Sequence, residues 1–232
     1  MNRKILNRFL GRFGYEVSKK RPHLDPAKEY ELHQYLKDDG SFDYEEYKKT
    51  QVAANKKKVK QVWAKEENIS FVSEHLKSHI SSLNFGICHG SRRGQEQEWF
   101  RKCLACDVIG TEISDTATHF PHTIQWDFHE VKPEWKNAVD FIYSNSFDHS
   151  YNPEKCLNAW MSCIRSKGLC VIEHSGHDSH ATVVDPFGAS IAQMPYLILR
   201  WGQGDYWVRE LVEAPYKPSY IRYLYFLIIE KR

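Results

Sequence analysis

From about residue 82 the chain alternates between two hydrophobic rhythms. Short apolar runs, "LNFGIC", "DVIGTEI", "HTIQWDF", "AVDFIYSN", "GLCVIEH" and "YLYFLIIEK", are separated by "GQEQEWFRKCLAC" and "PEKCLNAWMSCIRSKG", in which apolar residues recur every three or four positions. The first pattern predicts strands and the second amphipathic helices. Their alternation predicts a doubly wound α/β domain: a mostly parallel sheet with helices on both faces and right-handed crossovers. No repeat or low-complexity tract interrupts it.

The part before residue 82 has other rhythms. In "MNRKILNRFLGRFGYEVSKK" Ile5, Leu6, Phe9, Leu10 and Phe13 recur at helical spacing among Arg3, Lys4, Arg8 and Arg12. This is a basic amphipathic helix that packs on the protein's own core, on a partner, or through residues 1–16 on an anionic membrane surface. Residues 21–42, with prolines and "DDG", read as a linker. The stretch "YEEYKKTQVAANKKKVKQVWAKEENISFVSEHL" predicts a long helix to about Ala64, with an apolar face of Val52, Val59, Val62 and Trp63, and a second helix from about Ile69 to Ile80. Asn55 and the lysines from Lys56 to Lys60 read as a solvated face, although a helix preceding such a domain can also close over its pocket. The organisation is thus residues 1–20, a linker with helices over 21–82, and the α/β domain over 83–232.

Composition narrows the function. With 41% hydrophobic and 27% charged residues the 232-residue chain can build a substantial core. Its 32 basic and 30 acidic residues nearly cancel, which gives no reason to expect a nucleic-acid partner. Six cysteines lie mostly in apolar stretches with no recognisable secretory leader, so reduced thiols in a cytoplasmic protein are expected. Cys103 and Cys106 form C-x-x-C without a second pair, and core packing is their expected role. No apolar run approaches the roughly 20 residues a membrane span needs.

In such a sheet, ligands sit beyond the carboxyl ends of the strands, where strand order reverses. Four run ends carry suggestive chemistry. "FGICHGSRRGQE" stops in a loop with Gly90 and Gly94, which permit a sharp turn and close approach of a ligand to the backbone, or serve only the turn. Glu112 ends "DVIGTEI" twenty-two residues after Gly90, placed to accept the two ribose hydroxyls of an adenosine. Asp127 in "TIQWDFHEV" can accept an adenine amine, with Trp126 or Phe128 over the base, or can cap the next turn. In "DFIYSNSFDHSYNP" the residues Asn145, Ser146, Asp148 and His149 crowd one loop, and "GLCVIEH" brings Glu173 and His174 to the same edge.

In this order, the glycine loop, the acid, the aspartate, "YSNSFDHSYNPEKCLNAW" and "SKGLCVIEH" resemble the class I methyltransferases that use S-adenosylmethionine, over about residues 83–175 plus the last strand. Together with the amphipathic start, this core also resembles enzymes encoded with bacterial surface-glycan genes. The resemblance implies a seven-stranded, mostly parallel sheet with an antiparallel last strand. It implies S-adenosylmethionine held by Gly90, Arg92, Gly94, Glu112, Asp127, Phe128 and Asn145. The chain departs from the family where Arg92 replaces the middle glycine and Cys88 stands where an acid is usual. Arg92 would then face the cofactor's carboxylate or a negative group of the acceptor.

The implied reaction is methyl transfer, an in-line displacement in which alignment and desolvation dominate. For a hydroxyl acceptor, His149 is the expected base, with Asp148 beside it and Glu173 polarising it. No metal is expected: His174, His177 and His180 in "HSGHDSH" suit the lining of an acceptor pocket better than a cation site. Residues 175–218 are expected to form an acceptor-site insertion, with Trp201, Tyr206 and Trp207 stacking on a sugar or packing in the core. Arg200 or Arg209 would meet an anion. The acceptor is expected to be a saccharide or other small molecule, with the protein in the cytoplasm, at the inner face of the membrane if residues 1–16 bind lipid. The competing hypothesis is a non-catalytic binding or assembly module on the same fold.

Overall fold

The computed structural model describes residues 29–232; the amphipathic segment and the start of the linker lie outside the described residues. Strands β1 (Glu31–Leu32) and β7 (Phe187–Gly188) form a separate antiparallel pair. The main sheet contains β2 (Phe85–His89), β3 (Asp107–Glu112), β4 (Thr123–Gln125), β5 (Val139–Ser144), β6 (Ile164–Ser175), β8 (Tyr206–Glu213) and β9 (Leu224–Lys231). Its order is β4-β3-β2-β5-β6-β9-β8, parallel except for β9, which runs antiparallel to both β6 and β8.

The helices are α1 (Tyr44–Lys58), α2 (Glu66–His79), α3 (Gln95–Leu104), α4 (Pro153–Cys163) and α5 (Met194–Gly202). Both faces of the sheet are covered, so each central strand buries both of its side-chain rows. Ile142, Cys170, Ile172, Leu227 and Ile229 point into a core with Leu157 and Trp160 of α4 and Leu197 and Ile198 of α5. The intervening Phe141, Tyr143, Leu169, Val171, Phe226 and Ile228 meet Ile69, Val72 and Leu76 of α2 and Phe100 of α3.

Three boundaries differ from the sequence expectation. The long helix ends at Lys58 rather than Ala64, and the following residues return Trp63 toward the sheet, where its indole N–H donates to Glu173 at 2.9 Å. The next helix starts at Glu66, three residues early. Helix α4 stops at Cys163 because Ile164 already pairs with Val139, so the expected helical tail is the start of β6.

Residues 175–218 do not form a uniform insertion. They contain β7, α5 and the edge strand β8. Trp201 and Tyr206 are buried in the core, and the Tyr206 hydroxyl donates to Asn158. Arg200 pairs with Glu29 and Arg209 with Glu230. The six cysteines are free thiols; Cys106 packs at the edge of the core, whereas Cys103 is half-buried.

Candidate active site

Strand order reverses between β2 and β5, where His89 and Ser144 lie side by side in register. The loops leaving these two residues diverge to opposite layers and open a crevice between them, the expected ligand position in such a sheet. The crevice is walled by Gly90 and Arg92 of the first loop, Glu112 and Ile113 after β3, Asp127 and Phe128 after β4, and Ser146 and His149 after β5. It encloses about 540 Å³ of space, its open mouth included.

Gly90 and Gly94 adopt left-handed backbone, with φ of 70° and 78°. A side chain at Gly90 would also collide with the opposite wall, since a Cβ there would lie 2.6 Å from the Cβ of Ser146. Arg92, at the usual middle-glycine position, is itself left-handed with φ of 47°, so the loop keeps a glycine-like path without a glycine. Its guanidinium donates to the Gln61 carbonyl at 3.1 Å.

Helix α1 closes the crevice. Its buried residues are Tyr47, Gln51 and Asn55, one stripe at four-residue spacing, whereas Val52 and Val59 are only half-buried. A helix that buries amides and a phenol rather than its valines is covering a polar cleft. Asn55 is therefore not on the solvated face expected of it. It is 7% exposed, its Oδ1 accepts from Thr116, and its buried Nδ2 faces the Glu112 carboxylate, whose pKa it helps to lower, without closing a full hydrogen bond among the described residues. Helix α1 starts where Asp43 caps the Glu46 N–H and ends in three lysines, favourable at the two ends of its dipole.

Glu112 ends β3 as expected and is 7% exposed; its Oε1 accepts from the Ser114 N–H at 3.1 Å. Burial raises its pKa above the usual carboxylate range. Asp127 is in the crevice wall but already engaged: Oδ1 accepts from the His129 backbone and ring, and Oδ2 from the Tyr44 hydroxyl at 2.8 Å. Burial works to raise its pKa, but these hydrogen bonds prevail and hold it low. Phe128 lines the crevice, whereas Trp126 donates to the Glu130 carbonyl and packs on Trp135 away from it.

His149 lies at the rim beneath α1. Gln51 donates its amide to the Val184 carbonyl, which turns Oε1 toward His149 Nδ1 at 2.8 Å. An amide oxygen only accepts, so Nδ1 carries the proton and Nε2 presents its lone pair. Burial lowers the His149 pKa below the ordinary histidine value, which keeps that lone pair free at neutral pH. Nε2 faces Asp185 at 3.7 Å and Asp148 at 4.0 Å. Asp148 is pushed up to about 8, first by burial and then by the charge of Asp185.

The partner expected for His149 is different. Glu173 does not polarise it: Oε1 accepts from Trp63 and Oε2 from the Tyr143 hydroxyl at 2.7 Å. Buried at 4% exposure, Glu173 is pushed up to about 7. The three histidines of "HSGHDSH" also separate. His174 is buried near Asp178, His177 lies between Trp63 and Tyr220, and His180 pairs with Glu31. Ligand atoms of Asp148, His149 and Asp185 do converge to within 4.8 Å of one another, a spacing at which a cation could bridge them.

Sequence reasoning does not reach Gln51, Asn55, Tyr44 and His129 for the site, whereas Asp185 opens "DPFGAS", a stretch expected in the acceptor-pocket lining; the stripe Tyr47, Gln51, Asn55 is visible once the helix is known. The crevice fits an adenosyl group by its own features: a glycine wall with no room for a Cβ, a buried acid at the end of β3 and, facing that acid, an amide donor whose hydrogen bond is not closed among the described residues.

No family model matches the sequence, and no curated protein matches it. Solved structures do resemble the fold. The 1,6-didemethyltoxoflavin-N1-methyltransferase of Burkholderia thailandensis, with S-adenosylhomocysteine bound, is similar over 91% of this chain and 99% of its own, with 14% identity and a TM-score of 0.66. The plantazolicin methyltransferase BpumL, in complex with a pentazolic substrate analogue and the same product, matches 81% of this chain and 98% of its own (15% identity, TM-score 0.60). The magnesium protoporphyrin IX methyltransferase of Synechocystis PCC 6803, with S-adenosylmethionine bound, matches 83% and 100% (8% identity, TM-score 0.57).

Proposed function

We propose that the protein transfers a methyl group from S-adenosylmethionine to a hydroxyl of a small molecule. The observation that carries this reading is the crevice itself, with Gly90 against Ser146, the Glu112 carboxylate along one wall and the His149 lone pair at the rim. The solved structures of similar fold, crystallised with this cofactor or its product, support the same reading.

Glu112 would hold the ribose hydroxyls, Phe128 the adenine face and Asp127 its amine, once Tyr44 or His129 yields a place. The bound cofactor would supply a sulfonium-activated methyl group. His149 Nε2 would take the proton of the acceptor hydroxyl as its oxygen attacks, and Gln51 would hold the imidazole in the required tautomer. Asp185, and Asp148 once it gives up its proton, would stabilise the imidazolium that results. Helix α1 excludes water from the reacting atoms.

For the acceptor we propose a hydroxylated ring, such as a saccharide of a surface-glycan precursor. Next to the crevice, Phe42 and Tyr151 stack at 4.6 Å, and Tyr47 and His129 pack on Tyr151, giving ring faces beside the rim. Residues 1–16 would bring the protein to the inner face of the membrane; among the described residues no helix is long and apolar enough to cross one. Calorimetric titration of the full chain with S-adenosylhomocysteine tests the reading. Binding supports it, and absence of binding to both cofactor and product favours a non-catalytic module.

A further inference from the structure

A second, smaller cavity, about 230 Å³ with its open mouth included, lies beside the glycine loop and shares Gly90 and Arg92 with the crevice. Its far wall contains Glu96, the second residue of α3, together with Asn145, Gln61 and Trp63. Glu96 is only 6% exposed. Its Oε1 accepts from Asn145 Nδ2 at 3.2 Å, and among the described residues it forms no ion pair with a lysine or arginine. A carboxylate this deep, with Arg92 near enough to lower its pKa but not paired to it, is costly in ionised form unless a ligand completes its partners.

The end of β2 supplies no alternative anion. Cys88 is 1% exposed and burial drives its thiol pKa far up, so it stays neutral. Across the same cavity, Arg92 offers a guanidinium whose partner is the Gln61 carbonyl rather than an acid. Arg92 and Glu96 thus face each other across the cavity without pairing directly, a gap with opposite charges on its two sides that matches a zwitterion.

We propose that this cavity receives the amino-acid end of the cofactor, with Glu96 binding its ammonium group and Arg92 facing its carboxylate. The inference rests on the proposed function above and supplies, from helix α3, the acid that Cys88 does not. The groups facing Glu96 are Arg92 and Asn145 in the loops, Cys88 on β2, Tyr143 on β5 and Glu173 on β6, and Arg93, whose guanidinium donates to the Lys60 carbonyl, also lines the cavity. Burial, with a contribution from Glu173, holds the free acid at about 7. An incoming ammonium lowers it, so binding releases a proton, and affinity for the amino-acid end rises with pH through that range.

The test titrates the full chain with S-adenosylhomocysteine and, separately, with 5′-methylthioadenosine, which has the adenosine and sulfur but no amino-acid end. The expected result is that Glu96→Gln weakens the first at least tenfold and leaves the second unchanged, which also shows that the variant is folded. Without any substitution, affinity for S-adenosylhomocysteine should rise about tenfold between pH 6 and 8 for an acid of pKa about 7 that is ionised in the complex, while that for 5′-methylthioadenosine stays flat. If the wild-type protein binds both and Glu96→Gln weakens neither or both alike, or if the pH profile for S-adenosylhomocysteine is flat, the assignment of Glu96 is overturned and the cofactor reading stands. If the wild-type protein binds neither, the cofactor reading itself falls.

Discussion

Replacing Gly90 by alanine is a perturbation whose size follows from two separate features of the structure. The backbone there has φ of 70°, which costs a residue with a Cβ about 1–2 kcal/mol. The new methyl would also stand 2.6 Å from the Ser146 Cβ and 2.8 Å from its hydroxyl, an overpacking that costs roughly 1–3 kcal/mol where backbone must shift. The sum is about 2–5 kcal/mol, which for a chain of this size lowers Tm by on the order of 5–15 °C. Ser146→Gly removes the colliding atoms but not the φ cost. The double variant should therefore recover about 1–3 kcal/mol of the loss, less what Ser146 contributes through its bond to the Gly90 carbonyl at 3.3 Å. Thermal and urea unfolding of the four proteins measure the cycle, and calorimetry with S-adenosylhomocysteine shows whether the narrowed crevice still admits a ligand. Equal stability of Gly90→Ala and wild type, or no rescue by Ser146→Gly, would refute the argument that the two walls meet at this distance.

Other expectations concern charge and chemistry. Glu112→Ala should weaken S-adenosylhomocysteine by about 10- to 100-fold, the loss of one charge-assisted contact to the ribose, read by calorimetry at fixed pH. His149→Ala should retain cofactor binding and lose turnover once an acceptor is found, and Gln51→Leu should lower kcat while leaving the cofactor Kd unchanged. Because His149 is held below the ordinary histidine value, the acid limb of kcat should fall below pH 6.5, with full activity above it. Stability of the ligand-free protein should fall between about pH 4.5 and 8. In that window Glu96 and Glu173 (raised from 4.5 to about 7) and Asp148 (raised from 3.8 to about 8) hold protons that the unfolded chain has already released, so each rise in pH favours the unfolded state until these acids ionise in the folded one. Glu173→Gln should flatten that decline, and a profile rising with pH would contradict the burial of these acids.

The sheet was legible because its signal is repeated. Each central strand buries both faces, so "VDFIYS" and "LCVIEH" read as nearly continuous apolar runs whose order predicts the doubly wound topology. The ends of those strands were legible for the same reason: once β2, β3 and β5 are found, Gly90, Glu112 and His149 follow at their carboxyl ends. What was not legible depends on contacts between distant segments. The partner of His149 is Gln51, 98 positions away, and the carboxylates of Glu173 are taken by Trp63 and Tyr143 rather than by the histidine. No local pattern distinguishes the buried stripe Tyr47, Gln51, Asn55 from a solvated one, because its residues are polar and only the cleft beneath makes them buried. Helix α4 ends earlier than its pattern predicts: "CIRSKG" carries no breaker before Gly168, but strand pairing with Val139 outweighs its local preference. The aromatic residues of 201–207 likewise show that composition alone does not separate a stacking platform from core: Trp201 and Tyr206 went to the core.

The most direct test is a crystal structure of the full chain soaked with S-adenosylhomocysteine. The account predicts the adenosine between Gly90 and Ser146, its ribose hydroxyls on Glu112 and its sulfur turned toward His149 Nε2. Ligand density elsewhere, or a ribose directed away from Glu112, would contradict it.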